Sequence, residues 1–207
     1  MIFRRLCEIE SLRASWQRVL NHYPANQIPL ELQEFDRKKD ALLTRLAHML
    51  ANQNFIPEPA AIIQIPKPSK PGERRFITMV RPEDRVVLTT LNNLLEPVFE
   101  PQFAAHSFAY RHNRGALDAI KAVEHAMQRG LTAASCADID NFFDTIDRSL
   151  LLQQIRKSIW EKPILRLLDL YLQMGRVAGQ EWVEAGLGIA QGSPITPRTQ
   201  KITWAAC

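Results

Sequence analysis

Between Arg37 and Gln53 the apolar residues Leu42, Leu43, Leu46, Met49 and Leu50 recur at helical spacing, with Asp36 placed to cap the first turn. The pattern predicts an amphipathic helix over 37–53. Two strand-like runs follow, 61–66 (AIIQIP) and 75–80 (RFITMV), separated by the turn-forming KPSKPGER. They predict a basic hairpin. From Glu83 to Phe99 the stripe Val87, Leu91, Leu94, Leu95 and Val98, with acids in its first turn, predicts a core helix. Residues 101–115 lack any period and predict a loop, and ALDAIKAVEHAMQRG predicts a helix ending at Gly130. The small apolar run 132–139 (TAASCADI) predicts a buried central strand. Asp147 or Ser149 suits the cap of a helix through Ile159, and Pro163 the first turn of another running to Met174. The next stretch, 176–194, predicts strand, turn, strand and a Gly-rich loop. Helices dominate and strands are short, so the expected class is α+β, with an antiparallel sheet carrying the chemistry.

The 207 residues are 46% apolar and 23% charged, close to the globular average, which argues against disorder and fibrous repeats. No apolar run reaches the roughly 18 residues needed to span a bilayer. The charged start, MIFRRLCEIESLR, does not read as a secretory signal, and a cytoplasmic location is the expectation. Cys7, Cys136 and Cys207 fit neither a zinc pattern nor a disulfide framework and are expected to be plain thiols.

The net charge of +4 permits a nucleic-acid partner without requiring one, but its distribution says more. Residues 61–85 hold six bases (Lys67, Lys70, Arg74, Arg75, Arg81, Arg85) against three acids. Residues 131–150 hold four acids (Asp138, Asp140, Asp144, Asp147) and one base. A basic stretch followed by a compact acidic one suits an enzyme that grips phosphates near a divalent cation.

Within Ala137 to Arg148 (ADIDNFFDTIDR) strand period puts Asp138 and Asp140 on one face, a hard oxygen site suited to Mg²⁺. Asp144 and Asp147 read more simply as turn and capping residues. In GIAQGSPITP, Gly192 allows close backbone approach, Gln191 offers an amide and Ser193 a hydroxyl. By itself such a string is most often a turn.

In their order along the chain these stretches resemble the bacterial reverse transcriptases: group II intron-encoded, retron and CRISPR-associated RNA-directed DNA polymerases. Four blocks carry the resemblance, over about residues 37–197. PKPSKPGERRFITMVRPEDRVV is similar to the fingers block, and Ser107 to Arg114 matches the family pattern S-x-G/A-[FY]-[RV]-x-x-[RK]. ADIDNFFDTID is similar to the first catalytic palm block, and GIAQGSP to the block that cradles the templating pair.

The resemblance implies the fingers and partial palm of a right-hand polymerase, with helical fingers, short antiparallel strands and no thumb. It divides the chain into a helical extension (1–36), fingers region (37–130), partial palm (131–197) and aberrant tail (198–207). It implies that Asp138 binds both catalytic metals, Mg²⁺ or alternatively Mn²⁺, with the Ile139 carbonyl as a further ligand. Phe143 would exclude a ribose 2′-hydroxyl by its volume; its plainer reading is core packing beside Phe142. Lys67, Arg75, Gln191 and Gly192 would hold the incoming nucleotide, although a solvated hairpin face explains the two bases as well. Phe108, Tyr110, Arg114, Ser193 and Pro194 would contact template or primer. The implied partners are an RNA template, a DNA primer and dNTPs, with no membrane, and with a complementing chain or a CRISPR integrase as further partners. Intron mobility, spacer acquisition, retron function and antiviral defence all stay open.

One element of the pattern is missing. The family continues with a Tyr/Phe-x-Asp-Asp hairpin, whereas here no aspartate follows Asp169 and the chain reads RTQKITWAAC after Pro197. The expectation is a truncated member with little or no polymerase activity. Alternatives from other classes are a noncatalytic RNA- or DNA-binding module, a metal-dependent nuclease, and a subunit completed by a separate chain.

Overall fold

The computed structural model describes residues 1–66, 72, 74–139, 145–178 and 181–183. Four helices open the chain: α1 (Ile2–Leu6), α2 (Ile9–Leu20), α3 (Leu30–Arg37) and α4 (Lys39–Ala51). A hairpin follows, β1 (Ala60–Pro66) and β2 (Arg74–Met79), then α5 (Pro82–Phe99) and α6 (Ala116–Gln128). Helices α7 (Arg148–Arg156) and α8 (Lys162–Gln173) lead to the short strands β3 (Arg176–Ala178) and β4 (Glu181–Val183).

Helix α5 is the hub. Pro82 sits in its first turn, where a missing N–H costs nothing, and Glu83 and Asp84 complement the dipole. Val86, Val87, Leu88, Thr90, Leu91, Leu94 and Leu95 are buried almost all round the axis, as only a helix surrounded by others can be. Leu12, Trp16 and Val19 of α2 and Leu32 and Phe35 of α3 pack in the same core. So do Leu43, Leu46 and Leu50 of α4, Leu151 and Ile155 of α7, and Ile164, Leu167, Leu168 and Tyr171 of α8. Residues 1–36 therefore contribute to one continuous apolar interior.

Several sequence expectations are met closely. Asp147 caps α7, its carboxylate accepting from the Ser149 N–H (2.8 Å) and the Leu150 N–H (3.0 Å). Asp147→Ala is expected to lower the unfolding free energy by about 0.5–2 kcal/mol, measurable by urea denaturation; an unchanged midpoint would show that the cap is energetically idle. Gly130 takes φ 89° beyond α6. Its N–H bonds the Met127 carbonyl and the Leu131 N–H bonds that of Ala126, the paired closure that a left-handed residue permits.

The hairpin pairs antiparallel from Ala61 opposite Met79 to Pro66 opposite Arg74. The sheet has the order β2-β1-β3-β4, with β3 parallel to β1 and antiparallel to β4, so it is mixed rather than purely antiparallel. The parallel join follows from chain path. The Ala60 N–H bonds the Gly175 carbonyl (3.1 Å), and the long intervening connection brings the exit of α8 alongside the start of β1.

Two expectations are corrected. Asp36 does not cap a helix over 37–53; it lies in the last turn of α3, and α4 starts at Lys39 with no side-chain cap bond. The Asp36 carboxylate instead accepts from Trp16 Nε1 (2.8 Å) and Lys39 Nζ (3.0 Å), a stronger use of a charge than an exposed cap. Residues 132–139 form no strand and are exposed throughout. A strand satisfies its backbone only by pairing, and among the described residues none lies beside this segment. Among the described residues no helix is long and apolar enough to cross a membrane.

Candidate nucleic-acid interface and catalytic position

Arg75 lies on β2 with its backbone opposite Ile65, so the hairpin presents it from a regular element rather than a loop. Lys67, Phe143, Gln191, Gly192, Ser193 and Pro194 lie outside the described residues, as do Asp140 and Asp144. Asp138 and Ile139 are exposed at the end of the irregular stretch 131–139.

The loop between α5 and α6 is built around a residue that the sequence reading did not nominate. Arg111 donates from Nε to Glu100 Oε1 (2.7 Å) and from Nη1 to the carbonyls of Ala104 (2.9 Å) and Ser107 (3.0 Å). Its guanidinium also lies over the buried Phe103 ring, 5.8 Å from the centroid. A planar fork with several donors can close a loop in this way where a lysine could not. The available signal was its place in the Ser107–Arg114 block, next to Tyr110.

Clamping by Arg111 displays its neighbours. Tyr110 is 71% exposed and takes φ 53°, a left-handed conformation unusual for a bulky residue. Phe108 is half-buried. Arg114 donates to the Ala105 carbonyl, and a bridge joins Arg111 to Arg114. The loop thus carries Phe108, Tyr110 and Arg114 on one closed segment.

A second cluster sits at the junction of α5, α8 and the lead into β1. Asp84 is buried, accepts from the Tyr171 hydroxyl (3.0 Å) and receives a long contact from the Glu58 N–H (3.4 Å). Burial pushes its carboxyl up to about 6; the two hydrogen bonds oppose this, and the charges of Glu83 and Glu58 add to it. Burial first, then Asp84, raises the Tyr171 hydroxyl well above its ordinary value. A cleft lined in part by Leu42, Met49, Ile56 and Arg81 lies beside this cluster, and none of the described residues nominated from the sequence lines it.

Among the described residues no group of three His, Cys, Asp or Glu side chains could hold a metal ion. Asp138 is exposed and belongs to no such group, so the described residues do not by themselves fit a pair of Mg²⁺ ions.

Comparison with known proteins places this arrangement. Residues 65–205 match the family model described as reverse transcriptase (RNA-dependent DNA polymerase). The putative COX1/OXI3 intron 1 protein of Saccharomyces cerevisiae is 26% identical over 191 residues, covering 91% of this chain and 22% of its own length. Protein YkfC of Escherichia coli is 27% identical over 158 residues, with 74% and 41% covered. The group II intron-encoded protein LtrA of Lactococcus lactis subsp. cremoris is 20% identical over 196 residues, with 95% and 32% covered. The chain thus spans from 22% to 41% of the length of these three relatives. In fold it is similar to a chain of a partial Cas6-RT-Cas1–Cas2 complex, with a TM-score of 0.63 at 14% identity, covering 97% of this chain and 33% of that one. With residues 65–205 matching as they do, the chain belongs to the reverse transcriptase (RNA-dependent DNA polymerase) family.

Proposed function

We propose that these residues form the fingers (37–130) and part of the palm (131–197) of a reverse transcriptase, and that the 207-residue chain does not polymerise by itself. The observation that carries the second half is the sparse donor set: Asp138 is exposed and belongs to no group of three potential metal ligands among the described residues. A two-metal nucleotidyl transfer needs carboxylates that hold both ions at a fixed spacing. This chain's contribution would be Asp138 and the Ile139 carbonyl, toward Mg²⁺ or Mn²⁺.

The other roles follow the family pattern. Lys67 and Arg75 would neutralise triphosphate charge, Gln191 and Gly192 would lie under the nucleotide, and Phe143 would occupy the space of a ribose 2′-hydroxyl. Phe108, Tyr110 and Arg114 would meet the template, with Ser193 and Pro194 beside the primer end. The display of Tyr110 and Arg114 on the loop that Arg111 closes supports this reading. RNA template, DNA primer and dNTPs are the expected partners. A complementing chain would supply further acids, and the fold-level likeness to the chain of a Cas6-RT-Cas1–Cas2 complex motivates a CRISPR integrase as a further partner.

Primer extension with the purified chain, an RNA template, a DNA primer, dNTPs and Mg²⁺ tests the proposal. The expected result is no product above background, with Asp138→Ala unchanged. Robust extension that Asp138→Ala abolishes would overturn the inactive reading. The six bases of 61–85 favour one other outcome, salt-dependent RNA binding indifferent to Asp138→Ala, which would mark a noncatalytic binding module.

A further inference from the structure

The turn between α7 and α8 carries a feature that the polymerase reading leaves unused. Trp160 is 83% exposed, far more than any other described aromatic except Tyr110. It does not hang on a loose loop. The Ser158 and Ile159 N–H groups both bond the Ile155 carbonyl (3.0 and 2.9 Å), and Ile159 beneath is 2% exposed. The next residue, Glu161, is tied down too, its carboxylate accepting from the Ile2 N–H (2.7 Å) and the Phe3 N–H (2.8 Å). The indole is therefore held outward by anchors on both sides.

Charge surrounds it. Arg156 and Lys157 precede Trp160 by four and three residues in sequence, Lys162 follows by two, and all three are exposed. Glu161, the acid nearest in sequence, directs its charge onto the first N–H groups of α1, where the helix dipole already receives it. The turn thus presents one flat aromatic face among cations.

We infer that the Trp160 turn is a docking site for single-stranded nucleic acid, with one base stacked on the indole and its flanking phosphates held by Arg156, Lys157 and Lys162. Base-on-aromatic stacking within a cationic surround is the general recipe for binding single strands without sequence preference. A membrane is the poorer occupant, because interfacial elements present a broad apolar face, and here the charged Lys157, Glu161 and Lys162 lie close to Trp160 in sequence. The inference is independent of polymerase activity and of the loop at Tyr110.

Fluorescence anisotropy with a labelled single-stranded RNA of about 12 nucleotides tests it, alongside a duplex of the same length and vesicles of phosphatidylcholine and phosphatidylserine. Trp160→Ala should weaken single-strand binding by about 5- to 150-fold, and Trp160→Phe should retain most of it. Lys157→Gln combined with Lys162→Gln should reduce the slope of log affinity against log salt by about 1.4. The exposure of Trp160 predicts unchanged circular dichroism for the alanine variant, so lost binding will not reflect lost fold. The inference is overturned if Trp160→Ala leaves RNA affinity unchanged, if it weakens duplex and single strand equally, or if only vesicle binding falls. Failure here with intact RNA binding elsewhere leaves the fingers-and-palm proposal standing. Conversely, a primer-extension result of either kind leaves this site untouched.

Discussion

Trp16→Ala is expected to destabilise the protein by about 3–5 kcal/mol, the range for removing a large buried aromatic. Trp16 is 1% exposed and its ring lies 4.4 Å from that of Phe35, tilted by 47°. Its Nε1 donates to Asp36, and that hydrogen bond, more than the neighbouring Lys39, holds the Asp36 carboxyl below its ordinary range. Trp16 therefore joins α2 to α3 through both packing and polarity. Trp16→Phe separates the two, keeping most of the ring and deleting the donor. It should cost only about 1 kcal/mol and let the Asp36 carboxyl rise. Urea denaturation of both variants checks the order, and equal losses would show that the hydrogen bond, not the buried ring, dominates.

The second large effect is a pH dependence centred on Asp84. Its carboxyl is raised from 3.8 to about 6 in the fold, so the folded state prefers it protonated. The stabilisation this gives is fully present below pH 4 and is lost as pH rises through about 6. A shift of that size amounts to about 3 kcal/mol. Asp36 works in the opposite sense: its lowered carboxyl contributes stability above its ordinary value that is lost as pH falls below it, in a separate and more acid window. Between pH 4.5 and 7 unfolding midpoints should thus fall with rising pH, and Asp84→Asn should flatten the decline. A wild-type protein that grows more stable over that interval, with the variant following it, would contradict the assignment.

Much of the fold can be read from the sequence because its signals are local. The stripe of α5, the pairing of β1 with β2, the Asp147 cap and the Gly130 closure each lie within a few residues of their effect. What could not be read is partnership at a distance. Asp36 looks like a helix cap until Trp16, 20 residues away, is placed against it. Asp84 looks like a first-turn acid until Tyr171, 87 residues on, buries it. The run 132–139 has the composition of a buried strand, but composition cannot supply a neighbour to pair with. Of the candidate site, block order made the family legible, and the loop holding Tyr110 and Arg114 forms as a unit. Arg111 escaped notice because its value lies in closing that loop, which no spacing rule reveals.

The Glu161 carboxylate that grips Ile2 and Phe3 reaches across 159 and 158 positions of sequence. A five-residue helix is far too short to persist alone in water. Its persistence therefore rests on contacts with residues distant in sequence. A single carboxylate and the apolar contacts around Leu6 hold that short helix in place, and they offset the closure entropy of the long loop between them.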